Sequence, residues 1–124
     1  MGFYLIVSQM QYTPRHAKQA LDILQRLLPY VAARQEYQDL ISVLQNPSRW
    51  KEGHALFNKI RTSITLPSES HKQETLDHYF VYVAENAAKT AYNCSGESAP
   101  FDDDSFHWLL KCEQEFLERL KKNG

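Results

Sequence analysis

The stretch LDHYFVYVAENAAKTA (residues 76–91) decides the fold of this chain. Its apolar residues recur at three- and four-residue spacing, which is the pattern of one face of an α-helix: Leu76, Phe80, Val83, Ala84, Ala87 and Ala91. The alanines in its second half would let a neighbouring helix approach closely. We therefore expect a helix that begins near Ser70 and packs against other helices. It should stop at NCSGESAP (residues 93–100), where Gly96 and Pro100 prevent continuation.

Helix signals also lie on both sides of this stretch. Thr13-Pro14 and Asn46-Pro47 each join a capping residue to a proline suited to the first helical position, and predict two helix starts. Pro29 should end or kink the first of these helices, and a second apolar-periodic segment follows it. A last helix should run from the aspartates at 102–104 to Lys121-Lys122, whose charges suit a helix C-terminus.

These signals predict an all-α, single-domain bundle of five to six helices over residues 1–124. A chain of this length can bury a sizeable core without disulfides or metals. The sequence does not decide the conformation of the segment GFYLIVSQMQ (residues 2–11), which can be a helix or an extended segment. Its composition suits a strand, yet the sequence offers no obvious second strand to pair with it.

Composition is typical of a soluble globular protein, with 43% hydrophobic residues, 23% charged residues and a net charge of −1. Residues 1–61 carry eight Lys and Arg against four Asp and Glu, whereas residues 62–124 carry six against eleven. This asymmetry hints at an electrostatic partner, although folding could interleave the two halves. The chain shows no export signal, myristoylation motif or membrane span, so we expect a cytoplasmic protein with reduced Cys94 and Cys112.

Motifs for catalysis or metal binding are weak. His71, Glu74 and His78 share one helix face, but their spacing is not that of a metalloprotease, and a solvated polar face is the expected interpretation. The sequence has no nucleophile elbow, phosphate-binding glycine loop or dinucleotide fingerprint. We therefore expect a protein that is not an enzyme and that has no metal or cofactor.

Nucleic-acid binding is an alternative that would use the basic first half. Arg15, Lys18 and Arg26 could line part of a helix face, and Arg49 and Lys51 flank Trp50. The density of basic residues is nevertheless that of an ordinary solvated surface, so the composition does not favour this alternative.

The stretch ESAPFDDDSFHW (residues 97–108) is the strongest candidate for a contact surface. Acidic residues suit the start of a helix, and Asp102 is the expected cap. Consecutive helical side chains point about 100° apart, so some of these carboxylates must face solvent or a cationic partner. Phe106 and Trp108 should point to different sides, one to the core and one nearer the surface. The candidate partner-binding residues are Glu97, Phe101, Asp102, Asp103, Asp104 and Trp108.

The run ENAAKTAYNCSGESAPFDDDSFHWLLKC (residues 85–112) resembles a segment of small bacterial immunity proteins. These are encoded beside polymorphic or contact-dependent growth-inhibition toxins, notably the group paired with ribonuclease-type toxins. The resemblance rests on Asn86, Tyr92, Asn93, Gly96, Pro100, Phe101, Asp102, Asp104 and Trp108. It implies a cytoplasmic, non-enzymatic antidote that binds one toxin tightly and covers its cationic active site.

Three interpretations follow from these observations. The first is an immunity protein that contacts its toxin through the acidic and aromatic residues of 97–108. The second is a helical protein–protein adaptor for another cationic partner, and the third is a small nucleic-acid-binding regulator. Residues shared with a family also serve structure, so Asn86, Asn93 and Asp102 could simply fix the turn between the last two helices.

Overall fold

The computed structural model describes residues 12–64, 75–96 and 104–123. Within these ranges the chain forms five α-helices and two short 3-10 helices, with no strand. The α-helices are α1 (Pro14–Leu27), α2 (Arg34–Leu44), α3 (Gly53–Ser63), α4 (Leu76–Cys94) and α5 (Ser105–Asn123), and the 3-10 helices are Leu28–Tyr30 and Pro47–Glu52. The predicted all-α bundle is confirmed. The open question about residues 2–11 lies outside the described residues.

Helix α4 is the centre of the bundle. It contacts all four other α-helices, most extensively α5 and α1. Beyond the partly buried Leu76 its apolar face is buried, including Phe80 and the four alanines of its second half, Ala84, Ala87, Ala88 and Ala91. Because alanine side chains are short, α1 and α5 can approach the backbone of α4 closely.

The two proline-marked helix starts in the first half are confirmed. Helix α1 begins at Pro14, and Pro29 falls in the 3-10 helix that follows the end of α1. Asn46 caps the 3-10 helix Pro47–Glu52 by accepting the backbone N–H of Ser48 through Oδ1 at 3.1 Å. This 3-10 helix then passes into α3 at Gly53.

Helix α4 begins at Leu76, so the predicted start near Ser70 is wrong. Thr75 precedes it in an extended conformation and donates its backbone N–H to Nδ1 of His78 at 3.4 Å. His78 returns its own backbone N–H to Oγ1 of Thr75, also at 3.4 Å. This is a capping box in which histidine takes the place usually held by glutamate or glutamine. His78 is 7% exposed, and the expected solvated face is therefore wrong for this residue.

The two halves of the chain interleave in the bundle. Arg26 on α1 bonds both Asp22, at 2.8 Å, and Glu113 on α5, at 3.0 Å. A basic residue of the first half, Arg26, thus forms an ion pair with an acidic residue of the second half, Glu113. Among the described helices, none has the length and apolar character that crossing a bilayer requires.

Candidate functional site

The candidate contact surface lies where α4 ends and α5 begins, which we call the α4–α5 end (Thr90–Gly96 and Asp104–Trp108). The structure describes two of the six predicted contact residues, Asp104 and Trp108. The remaining four predictions, Glu97, Phe101, Asp102 and Asp103, fall outside the described residues.

Asp104 occupies the N-cap position of α5, two residues later than the expected cap at Asp102. Ser105 is the first helical residue, and the carbonyl oxygen of Asp104 accepts the backbone N–H of Trp108 at 3.1 Å. That bond is the first one of the helix, which is what defines an N-cap. Asp104 is also exposed, so its carboxylate adds negative charge to the surface at the start of α5.

Trp108 presents a large aromatic surface one helical turn after Asp104. It is 49% exposed, whereas Phe106 is 9% exposed and belongs to the core. The prediction that these two rings point to different sides is confirmed. Nζ of Lys111 lies 5.4 Å from the centroid of the Trp108 ring, within cation–π range, and holds a positive charge over one face of the indole.

A buried hydroxyl beneath this surface ties three segments together. Oγ of Ser105, 3% exposed, accepts hydrogen bonds from Oγ1 of Thr90 and Nδ2 of Asn93, each at 3.2 Å. These two bonds use both lone pairs of the hydroxyl, so its proton is left for the hydroxyl of Tyr12, also at 3.2 Å. The Tyr12 oxygen in turn accepts the backbone N–H of Phe106 at 3.2 Å. We call these four side chains the Ser105 network.

Aromatic packing reinforces the same junction. The ring of His16 on α1 lies edge-on between Tyr12, with centroids 5.3 Å apart, and Phe106, with centroids 4.7 Å apart. Sγ of Cys94 donates to the carbonyl oxygen of Thr13 at 3.1 Å. The start of α1 is therefore packed against the end of α4 and the start of α5. These contacts hold the Asp104–Trp108 surface in place.

Asn93 and Gly96 serve the structure of the turn, and Asn86 lies earlier, within α4. Asn93 belongs to the Ser105 network, and Nδ2 of Asn86 donates to the carbonyl oxygen of Tyr82 at 2.9 Å. Gly96 follows the end of α4 with a φ of +87°, a conformation that suits glycine after a helix. Asn93 has the expected role at the turn, whereas the bond of Asn86 to Tyr82 lies within α4 and does not reach the turn. The same question for Asp102 lies outside the described residues.

Ser105→Ala should lower the free energy of unfolding by about 1–3 kcal/mol, because it leaves the buried Thr90 hydroxyl without its acceptor. Urea titration followed by circular dichroism measures the loss. Ser48→Ala is the control, since that hydroxyl is exposed and bonds only its neighbour Asn46. A Ser105 variant as stable as the control would show that the network adds nothing to stability.

The two cysteines are free thiols. Burial raises the pKa of Cys94 to about 11, against the effect of a backbone hydrogen bond. The pKa of Cys112 is also raised, first by burial and then by the charges of Glu115 and Glu85. Both thiols stay protonated near neutral pH, which is the opposite of the activation that a nucleophilic cysteine needs.

In the basic first half, Arg15, Lys18 and Lys51 are exposed, whereas Trp50, Arg26 and Arg49 make contacts within the protein. Trp50 is 5% exposed and its Nε1 donates to the carbonyl oxygen of Leu44 at 2.9 Å, so its ring cannot stack on a base. Arg26 is paired as described above, and Arg49 bonds Glu52 at 3.2 Å. Within the described residues, no group of three or more His, Cys, Asp or Glu could hold a metal.

Sequence reasoning found Asp104 and Trp108 but missed Tyr12 and Ser105, whose polar contacts depend on tertiary packing.

Comparisons with protein-family models, curated proteins and solved structures find no significant match to this chain. Functional inference therefore rests on the geometry of the α4–α5 end and on the resemblance of residues 85–112.

Proposed function

We propose that this chain is an immunity protein that binds and neutralises a cognate ribonuclease-type toxin. It acts in the cytoplasm and without catalysis of its own, by covering the cationic active site of the toxin with the α4–α5 end. The observation that carries the proposal is the half-exposed Trp108 beside Asp104, standing on the Ser105 network.

Trp108 is the anchor of the proposed interface. Tryptophan is enriched among the few residues that carry most of the energy of a protein interface, because its ring buries a large area with little loss of side-chain freedom. About half of the ring is already covered in the free protein, and a partner would cover the rest. Lys111 packs over the ring and restricts its motion before binding.

Negative charge beside Trp108 attracts and orients a cationic partner. Asp104 is exposed at the N-cap, and Glu97, Asp102 and Asp103 are its acidic neighbours in sequence. A ribonuclease binds phosphate in a cationic cleft, so carboxylates can take the place of phosphate groups there. Opposite charges also raise the association rate at low ionic strength.

Rigidity of the surface favours tight binding. The Ser105 network and the His16–Phe106 contact fix the start of α5 before any partner arrives. An interface that is already ordered loses less conformational entropy on binding, which leaves more of the contact energy as affinity.

Charge removal tests the proposal, with the C-terminal domain of the upstream neighbouring gene's product as the candidate toxin. The triple variant D102N/D103N/D104N removes three negative charges while keeping an N-cap, since asparagine caps a helix as well as aspartate does. At low salt we expect the association rate constant of the variant to be about tenfold below that of the wild type, with little change in the dissociation rate constant. The two association rate constants should converge as salt is added. Stopped-flow fluorescence and an RNA-cleavage assay measure association and inhibition.

The single variants Asp104→Asn and Asp39→Asn make a matched pair, because Asp39 is an exposed acid on α2. Only Asp104→Asn should slow association. Equal rates for wild type and the triple variant would place the interface elsewhere, and failure of the wild type to inhibit RNA cleavage would contradict the function. Retention on heparin that falls steeply with salt would favour the nucleic-acid alternative instead.

A further inference from the structure

A second surface feature lies away from the α4–α5 end, in a cleft between α3 and the first half of α4. Its volume is about 290 Å³. It is lined by the apolar Phe57 and Val81 and by the polar or charged Asn58, Arg61, His78, Tyr82 and Glu85. We call it the α3–α4 cleft.

His78 is the buried polar group of this cleft. Its Nδ1 accepts the backbone N–H of Thr75 and lies 2.9 Å from Oγ1 of the same residue, as part of the cap of α4. Since Nδ1 is an acceptor, the neutral ring carries its proton on Nε2. No described residue accepts that proton, yet Nε2 is not among the fully buried polar atoms without a partner, so solvent in the cleft reaches it. A ligand oxygen in the cleft would take the place of that solvent as the acceptor.

Two further donors line the same cleft. Arg61 and Asn58 are exposed, and neither side chain forms a hydrogen bond or ion pair with another described residue, so water is displaced when they bind a ligand. A guanidinium offers parallel N–H groups that match the two oxygens of a carboxylate. The cleft therefore combines the cation Arg61 and the neutral donors His78, Asn58 and Tyr82 with one carboxylate, Glu85.

The remaining residues limit what such an anion can be. Glu85 repels a doubly charged ligand, although Lys89 at 3.5 Å offsets part of its charge. Phe57 and Val81 provide apolar surface for a short hydrocarbon chain. The geometry points to a new binding site: the α3–α4 cleft takes a carboxylate with a short apolar substituent, held by Arg61, His78 and Asn58.

The carboxylate can come from a free small acid or from the C-terminus of a peptide. NMR titration of the ¹⁵N-labelled protein separates these sources with three probes at constant ionic strength: sodium butyrate, acetyl-Gly-Gly-Val with a free C-terminus, and the same peptide amidated. We expect saturable shifts of the Val81 and Tyr82 amides and the Asn58 side-chain amide with the first two probes and none with the third. Tighter binding of butyrate identifies a free acid, and tighter binding of the peptide identifies a C-terminus.

Arg61→Gln should weaken binding at least tenfold. Arg15→Gln, which changes an exposed arginine on α1, should leave it unchanged. Shifts that do not saturate by 50 mM probe, or that are equal in the Arg61→Gln variant, would overturn the assignment. This site is independent of toxin binding, so neither result bears on the proposed function.

Discussion

Replacing Phe80 by alanine is expected to lower the free energy of unfolding by about 3–5 kcal/mol. Phe80 is fully buried in α4, and its ring lies edge-on to Tyr37 of α2, with centroids 4.6 Å apart, and to Phe116 of α5, with centroids 6.1 Å apart. Truncation would leave a cavity where three helices meet. Domains of this size are stable by only about 5–15 kcal/mol, so the loss is a large share of the total.

Urea titration followed by circular dichroism measures this loss as a lower midpoint with an unchanged slope. Tyr82→Ala is the matched control, because this aromatic residue lies two positions further along α4 and is 54% exposed. Its effect should stay within about 0.5 kcal/mol. A Phe80→Ala variant that loses less than the control would contradict a core that is centred on α4.

Tyr37→Phe separates the contribution of the ring from that of the hydroxyl at the same junction. The Tyr37 hydroxyl is buried and has no hydrogen-bond partner among the described residues. Burial, followed by the charge of Asp77, raises its pKa, so the group is buried in its neutral form. Because the substitution removes an unsatisfied polar atom and keeps the ring, it should leave stability unchanged or increase it.

The core of α4 could be predicted from sequence because its signal is local. Spacing of three and four residues places Phe80, Val83 and Ala84 on one face, and all three are fully buried. Val81 and Ala88 are also buried, although they lie toward the edge of that face. They are covered because α4 is surrounded by four other helices, and the arrangement of those helices is not a local property of the sequence.

The start of α4 could not be placed from sequence alone. Ser70 and Thr75 are both residue types that cap helices, and nothing between them breaks a helix. The outcome depends on His78, whose Nδ1 completes a capping box with Thr75. A histidine at that position does not belong to the usual sequence signature, so this signal was missed.

Part of the candidate site could likewise be predicted from local sequence, and part of it could not. Asp104 and Trp108 are four residues apart on one helix, and the angle between successive side chains was enough to separate Trp108 from Phe106. The Ser105 network was beyond reach, because Tyr12 and Ser105 are 93 positions apart and meet only when α1 packs against α4 and α5. Local spacing thus predicts which groups a surface presents, whereas tertiary contacts decide how firmly they are held.

That distinction determines how Trp108 should act in binding. The ring extends from the first turn of a helix whose start is fixed by the Ser105 network, so its position is set before a partner arrives. A preordered anchor acts mainly on how long a complex lasts, whereas the neighbouring carboxylates act mainly on how fast it forms.

Trp108→Ala is therefore expected to weaken toxin binding by at least about 2 kcal/mol, which is about 30-fold in Kd. Most of the change should appear as faster dissociation, measured by surface plasmon resonance. The free protein should lose little stability, because the ring is 49% exposed and its contact with Lys111 contributes only about 0.5–1 kcal/mol at an exposed site.

Leu110→Ala is the matched control for this prediction. Leu110 is 44% exposed and lies two residues further along α5, so its side chain points about 200° away from that of Trp108. Its Kd should stay near that of the wild type. If Leu110→Ala weakens binding more than Trp108→Ala does, the toxin contacts the opposite flank of α5. In that case the acidic residues beside Trp108 serve the helix start alone.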